Sequence, residues 1–143
     1  MKLQDIMTSS LVKIHPDTTV DVAARALAHH NIGALPVCAE DGRLCGLVTD
    51  RDLVTRCVAS GRAPEKTKVR EVMTASLVCG EPGMDVGAAA HLMGRKQVRR
   101  LPVTKNGKLC GMVSLGDIAN REETVYDAGD ALSDISKNLS ARD

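Results

Sequence analysis

Apolar residues recur in this chain with two different periods, and the places where the period changes mark out its elements. Val20, Ala23, Ala24 and Leu27 stand at i, i+3, i+4 and i+7, which is one face of a helix, and Val86, Ala89, Ala90 and Met93 repeat the stripe. The small alanines let such a helix lie close against a sheet. Ala34 to Cys38 is a short apolar run that predicts a strand. Asp41-Gly42 then predicts a hairpin turn, and Leu44 to Thr49 the returning strand. Asn106-Gly107 marks the same turn later in the chain. Pro36, inside the first hairpin strand, has no N–H to give to a ladder, so that strand is expected to have an open side there. Leu11 to Ile14 predicts a further short strand ended by Pro16, and Thr49-Asp50-Arg51-Asp52 opens a helix over Leu53 to Ala59. Ala128 to Leu139 predicts a short amphipathic tail helix, with Ala131, Leu132, Ile135 and Leu139 on its apolar side.

These elements form two copies of one unit. Met7-Thr8 recurs as Met73-Thr74, an offset of 73 − 7 = 66, which also aligns Leu11-Val12 with Leu77-Val78 and Leu35-Pro36-Val37 with Leu101-Pro102-Val103. One residue is lost in the hairpin, after which Leu44-Cys45-Gly46 aligns with Leu109-Cys110-Gly111 and Asp52 with Asp117. The expected organisation is a first repeat over 1–60, a linker over 61–67, a second repeat over 68–122 and a tail over 123–143. Each repeat reads as strand, helix, hairpin, helix, an α+β class with small sheets packed on helices.

Composition narrows the picture. Aromatic residues make up 1% of the chain and Tyr126 is the only one, so the core must be built from Val, Leu, Ile, Met and Ala. A single repeat of about 60 residues is marginal as an independent core, so the halves are expected to need each other. The net charge of +1, with both signs interspersed and no stacking aromatics, argues against a nucleic-acid binder. No apolar run approaches the ~20 residues of a membrane span, and the start Met1-Lys2-Leu3-Gln4-Asp5 lacks the apolar stretch of a signal peptide. The five cysteines include no Cys-x-x-Cys pair and mostly fall in apolar runs, so they are expected to be reduced core residues of a cytoplasmic protein. His15, His29, His30 and His91 show no metal-ligand spacing, and His29-His30 is expected on an exposed helix end. No Ser-His-Asp, paired-carboxylate or phosphate-loop constellation suggests catalysis.

Certain segments carry a resemblance: Asp5-Ile6-Met7-Thr8 with Glu71-Val72-Met73-Thr74, Ile32-Gly33-Ala34-Leu35-Pro36-Val37 with Val98-Arg99-Arg100-Leu101-Pro102-Val103, and Gly46-Leu47-Val48-Thr49-Asp50-Arg51-Asp52 with Gly111-Met112-Val113-Ser114-Leu115-Gly116-Asp117. Over about Leu3 to Arg121 the chain resembles a tandem pair of CBS domains, a Bateman module, of the small stand-alone bacterial type. The resemblance implies a pseudo-twofold pair of repeats with clefts between the sheets that bind AMP, ADP, ATP or S-adenosylmethionine. It also implies a homodimer shaped like a flat disc, with no tightly bound cofactor.

In Gly-x-x-Thr-x-x-Asp the hydroxyl sits at a helix start, where unpaired N–H groups favour an anion, and a carboxylate three residues on can accept from a ribose diol. Carried over from the family, Asp52 and Asp117 would hold ribose, Thr49 and Ser114 phosphate, while Ala34 and Ile14 would face adenine. Thr49-x-x-Asp52 and Ser114-x-x-Asp117 are equally ordinary capping boxes, and a cap alone would explain them. The copies differ where Arg99-Arg100 replaces Gly33-Ala34. Arginine forks match phosphate oxygens, so Arg100 is the first candidate phosphate ligand, then Arg99, then Arg51. A solvated basic turn, with Arg95 and Lys96 nearby, is the alternative. The expected function is a non-enzymatic sensor that binds an adenosine-containing nucleotide between its repeats and signals to a separate, unknown protein partner. The alternative is a dimeric interaction module with no nucleotide ligand.

Overall fold

The computed structural model describes residues 1–142, with side chains described through residue 137. In chain order the elements are α1 (Leu3–Ile6), α2 (Val20–His30), β1 (Ala34–Cys38), β2 (Leu44–Thr49), α3 (Asp50–Asp52, continuing as a π-helix over Leu53–Val58), α4 (Val86–Lys96), β3 (Arg100–Lys105), β4 (Lys108–Ser114), α5 (Leu115–Ala119) and α6 (Val125–Arg142). Two short 3₁₀ turns, Pro64–Lys66 and Val69–Glu71, lie between α3 and α4. The architecture is α+β, with two-stranded antiparallel sheets, β1–β2 and β3–β4, packed on helices.

Two compact units result. One is Val12–Leu77; the other joins Met1–Leu11 to the chain from Val78 onward. We call these the continuous and the discontinuous unit. The units do not coincide with the sequence repeats, because each repeat lends its head to the other unit's sheet. Thr8 exchanges backbone hydrogen bonds of 2.9 and 3.0 Å with Met112 on β4, and Thr74 exchanges bonds of 3.0 and 2.8 Å with Leu47 on β2. The Met-Thr pairs are therefore structural. Met7 lies over Gly111 and Met73 over Gly46, so closely that an added Cβ would meet Met7 Sδ at 2.5 Å, or Met73 Sδ at 2.8 Å and the Thr74 carbonyl at 2.7 Å.

The predicted strand over Leu11 to Ile14 does not form. Only Ile14 bridges, in parallel, to Val37, as Gly80 does to Val103. The hydrogen bonds explain both this contact and the prolines. The Ile14 N–H donates to Pro36 O at 3.1 Å and the Cys38 N–H donates to Ile14 O at 2.8 Å, with Gly80, Pro102 and Thr104 repeating the pattern at 2.9 Å. Each proline thus faces the one neighbour that needs only its carbonyl, and its missing N–H leaves nothing unpaired. The hairpin turns close with Gly42 at φ +90° and with Asn106 and Gly107 at φ 55° and 79°.

α2 and α4 bury the expected stripes: Val20, Ala23 and Leu27 in one unit, Val86, Ala89, Ala90 and Met93 in the other. Both helices end in left-handed caps, at Asn31 and Gln97. His29 and His30 are exposed in the last turn of α2. The segment read as a linker is fixed to the continuous unit, since Thr67 is buried and its carbonyl accepts from the Val20 N–H at 2.8 Å. There Asp17 pairs with Arg70 and with Lys68. Partial desolvation pushes its carboxyl up, but Arg70, Lys68 and His15 together outweigh that and hold it below the usual value. The tail helix is longer than the sequence pattern suggested. It begins at Val125 and buries Ala128, Ala131 and Ile135 against α4 and α5. Leu132 is 40% exposed and not on that buried face, and the side chain of Leu139 lies outside the described residues.

Candidate functional site

Both predicted Thr/Ser-x-x-Asp motifs fold as complete capping boxes. In the continuous unit the Asp52 N–H donates to Thr49 Oγ1 at 3.1 Å and the Thr49 N–H donates to Asp52 Oδ2 at 2.9 Å. In the discontinuous unit the Asp117 N–H donates to Ser114 Oγ at 3.0 Å and the Ser114 N–H to Asp117 Oδ2 at 2.9 Å. Each carboxylate thus commits Oδ2 to the backbone. Their other oxygens differ. Asp52 Oδ1 lies 3.8 Å from Nε of Arg56, whose guanidinium also donates to the carbonyls of Val72 and Met73. The repeat equivalent of Arg56 is Arg121, and neither Arg121 nor Asp117 forms an ion pair among the described residues.

The hairpins set the neighbours of these boxes. Ala34 pairs with Thr49 across β1–β2, and Arg100 pairs with Ser114 at the matching position of β3–β4. The Leu115 N–H donates to Arg99 O at 3.0 Å, which ties the two arginines to the start of α5. Arg99, Arg100 and Ser114 line one cavity of about 540 Å³, whose far wall is Val125, Gly129 and Leu132 of α6, with Gly116 and Ala119 of α5 between. That volume is within the range of small-molecule sites. Arg99 and Arg100 are exposed and make no ion pair among the described residues, so the cavity has an apolar wall and a basic rim.

The other candidates are dispersed. Ile14 sits on the far edge of β1, at Val37, and does not border this cavity. Arg51 is exposed on α3, in the other unit from Arg99 and Arg100. The cavity of the continuous unit, about 410 Å³, is lined by Leu27, Ile32, Leu53, Val54 and Val58 and includes neither Thr49 nor Asp52. The glycine before each box serves the protein, not an approaching ligand, because Gly46 and Gly111 are closed over by Met73 and Met7.

Sequence reasoning missed the α6 wall. Val125, Ala128, Gly129 and Leu132 stand at i, i+3, i+4 and i+7, a second apolar stripe beside the buried one, and that spacing was the available signal. Among the described residues no group of three His, Cys, Asp or Glu is placed to hold a metal, and no helix is long and apolar enough to cross a membrane. Burial pushes the thiols of Cys38 and Cys79 up, away from the reactive thiolate.

Comparison with known proteins identifies the family and the fold. The CBS domain family matches residues 3–59 and 69–124. The CBS domain-containing protein YhcV of Bacillus subtilis (strain 168) is 42% identical over 134 residues, 94% of each chain. Among solved structures, CBSX2 in complex with AMP superposes with a TM-score of 0.75 at 28% identity, over 87% of this chain and 98% of that one. The CBS domain pair of MJ0100, in complex with 5′-methylthioadenosine and S-adenosyl-L-methionine, superposes with a TM-score of 0.73 at 26% identity, over 83% and 93%.

Proposed function

The chain belongs to the CBS domain family, with the domain present twice, and from that premise we propose that it is a regulatory module, not an enzyme, that binds an adenosine-containing ligand at its discontinuous unit. The observation that carries this reading is the cavity in which Arg99, Arg100 and Ser114 meet beside the Ser114–Asp117 box. The guanidinium groups take phosphate oxygens, the apolar wall of α6 receives the base, and Asp117, which does not itself line the cavity but is boxed to Ser114 at its wall, offers Oδ1 to a ribose hydroxyl at the cavity's edge. Adenosine ligands on CBSX2 and MJ0100 support the ligand class. The two arginines favour a phosphorylated ligand, AMP, ADP or ATP, over S-adenosylmethionine. A ligand that touches both the hairpin and α6 favours the arrangement in which the helix is docked, and that differential affinity is what a partner protein would read. The module acts as a homodimer in the cytoplasm and regulates a separate chain.

The test is a calorimetric melting series with AMP, ADP, ATP and S-adenosylmethionine on the wild type and on Arg99→Gln/Arg100→Gln. A ligand at ~100 times its dissociation constant should add roughly 2.7 kcal/mol, a shift of several degrees. The expected result is a shift with a phosphorylated nucleotide that is lost in the double variant. The second reading, an interaction module without a nucleotide, is favoured by one observation, that both boxes are satisfied by their own backbone. Absence of a shift at millimolar concentration of every ligand would overturn the adenine-nucleotide reading, leaving this one or a ligand outside the series.

A further inference from the structure

One corner of the fold is closed by an ion cluster in one unit and open in the other. In the continuous unit the Arg70 N–H donates to Pro16 O at 3.0 Å, and in the discontinuous unit the Gln4 N–H donates to Pro82 O at 3.0 Å, so the backbone makes the same corner in both. The side chains differ. Asp17 pairs with Arg70 and, at 3.7 Å, with Lys68, while its own N–H donates to His15 Nδ1 at 3.1 Å. At the repeat offset Gly83 stands for Asp17, Gln4 for Arg70 and Glu81 for His15. With that carboxylate gone, a cavity of about 340 Å³ is left, lined by Gln4, Glu81, Gly83, Thr104, Lys105 and Asn106 around Pro82. A Cβ on Gly83 would meet no atom within 4 Å, so the space that Asp17 fills in the sister unit is empty here. Glu81 and Lys105 line this cavity together, yet neither makes an ion pair among the described residues.

We propose that this corner of the discontinuous unit is a binding site for a small zwitterion, a free α-amino acid, whose carboxylate takes up the space that Asp17 fills in the sister unit. The Lys105 ammonium and the Gln4 carboxamide donate to the ligand's carboxylate, and the Glu81 carboxylate accepts from its ammonium group. A ligand with both charges on one carbon suits a cavity that offers one acid and one base. A simple anion would face Glu81 without compensation, and a simple cation would face Lys105. The volume is at the small end of the range for ligand sites. Pro82 is the only apolar side chain in the lining, which favours a small or polar side chain on the ligand. The site shares no residue with the cavity of Arg99, Arg100 and Ser114, so it is a second input to the module and independent of the nucleotide reading.

An amide chemical-shift titration of the full chain tests this, with glycine, serine, glutamine and aspartate as probes and with acetate and methylamine as the two halves of the ligand taken singly. The expected result is a saturable shift of the amides of Gln4, Gly83 and residues 104–107 with at least one amino acid at millimolar concentration or below, which neither acetate nor methylamine matches. Gly83→Asp sets a carboxylate where the ligand's would lie and should weaken that binding at least tenfold, as should Lys105→Gln. Both positions are exposed, and a melting curve establishes that each variant is folded. No saturable shift with any of the four amino acids, or binding that both variants leave intact, overturns the site. Acetate that binds as tightly as the amino acids leaves an anion site and overturns the zwitterion. None of these outcomes bears on the nucleotide, which is read separately by melting of Arg99→Gln/Arg100→Gln.

Discussion

Gly129 lies inside α6 at a position where a Cβ would meet no atom within 4 Å. Packing does not require glycine there, and glycine within a helix costs about 0.5–1 kcal/mol relative to alanine. The open space is the cavity that Arg99 and Arg100 border. Gly129→Ala should therefore stabilise the fold by about 0.5–1 kcal/mol, seen as a higher melting temperature. Gly129→Leu should stay folded, because the added atoms enter empty space, yet lose the nucleotide-induced shift. A Leu variant that keeps the whole shift would place the ligand elsewhere. The candidate residues show how far single positions could be read. Thr49, Asp52, Ser114 and Asp117 were identifiable from spacing, but their spacing fitted a cap and a ligand site equally, and the structure shows the cap closed in both units. The difference between the units lies at Arg56, a long side chain reaching Asp52 from one turn away, which no motif announces.

At the scale of elements, the hairpins and their flanking helices follow the sequence because their information is local. Alternation, Asp-Gly or Asn-Gly turns and a helical stripe each act within a dozen residues. The heads of the repeats do not, because Met7-Thr8 and Met73-Thr74 find their partners at Gly111-Met112 and Gly46-Leu47, and sequence distance hides those partners. The glycines record the docking unequally. A Cβ at Gly46 would press on the Thr74 carbonyl, a backbone atom held by its ladder bond to Leu47, whereas at Gly111 it would press on the Met7 side chain, which has rotatable bonds. Gly46→Ala should destabilise by about 1–3 kcal/mol and Gly111→Ala by clearly less, measured by denaturant unfolding. Equal losses would mean that the Met7 side chain has no room to move. The same limit explains Leu11 to Ile14. Its apolar pattern fits a strand, but only one of its residues has a neighbouring chain to bond with, and a strand is defined by its partners.

For the whole molecule, the exchange of heads decides which piece of chain is a folding unit. A repeat cut out by sequence similarity, residues 1–60, retains Leu3, Ile6 and Thr8, whose contacts are on β4 and α4's side of the chain, and it lacks Thr67, Val69, Val72 and Thr74. It would leave β2 without its second neighbour, Thr74, and the core around Leu35, Val37 and Val48 without two of its buried valines. The segment 12–77 keeps all of them: the Thr74–Leu47 ladder, the Val20 N–H bond to Thr67 and the Asp17–Arg70 pair. At about 65 residues it is near the lower limit for an unaided core, so what it retains matters. Segment 12–77 should unfold cooperatively in a melting experiment and protect amides of β1 and β2 in hydrogen exchange, while 1–60, of similar length and composition, should do neither. Similar behaviour of the two fragments would show that the exchanged heads only decorate the sheets. Cooperative melting of 12–77 alone would show that the sequence duplicated one unit and the fold then redrew its boundary a few residues into the next, so that neither copy completes its sheet without the other's first turn.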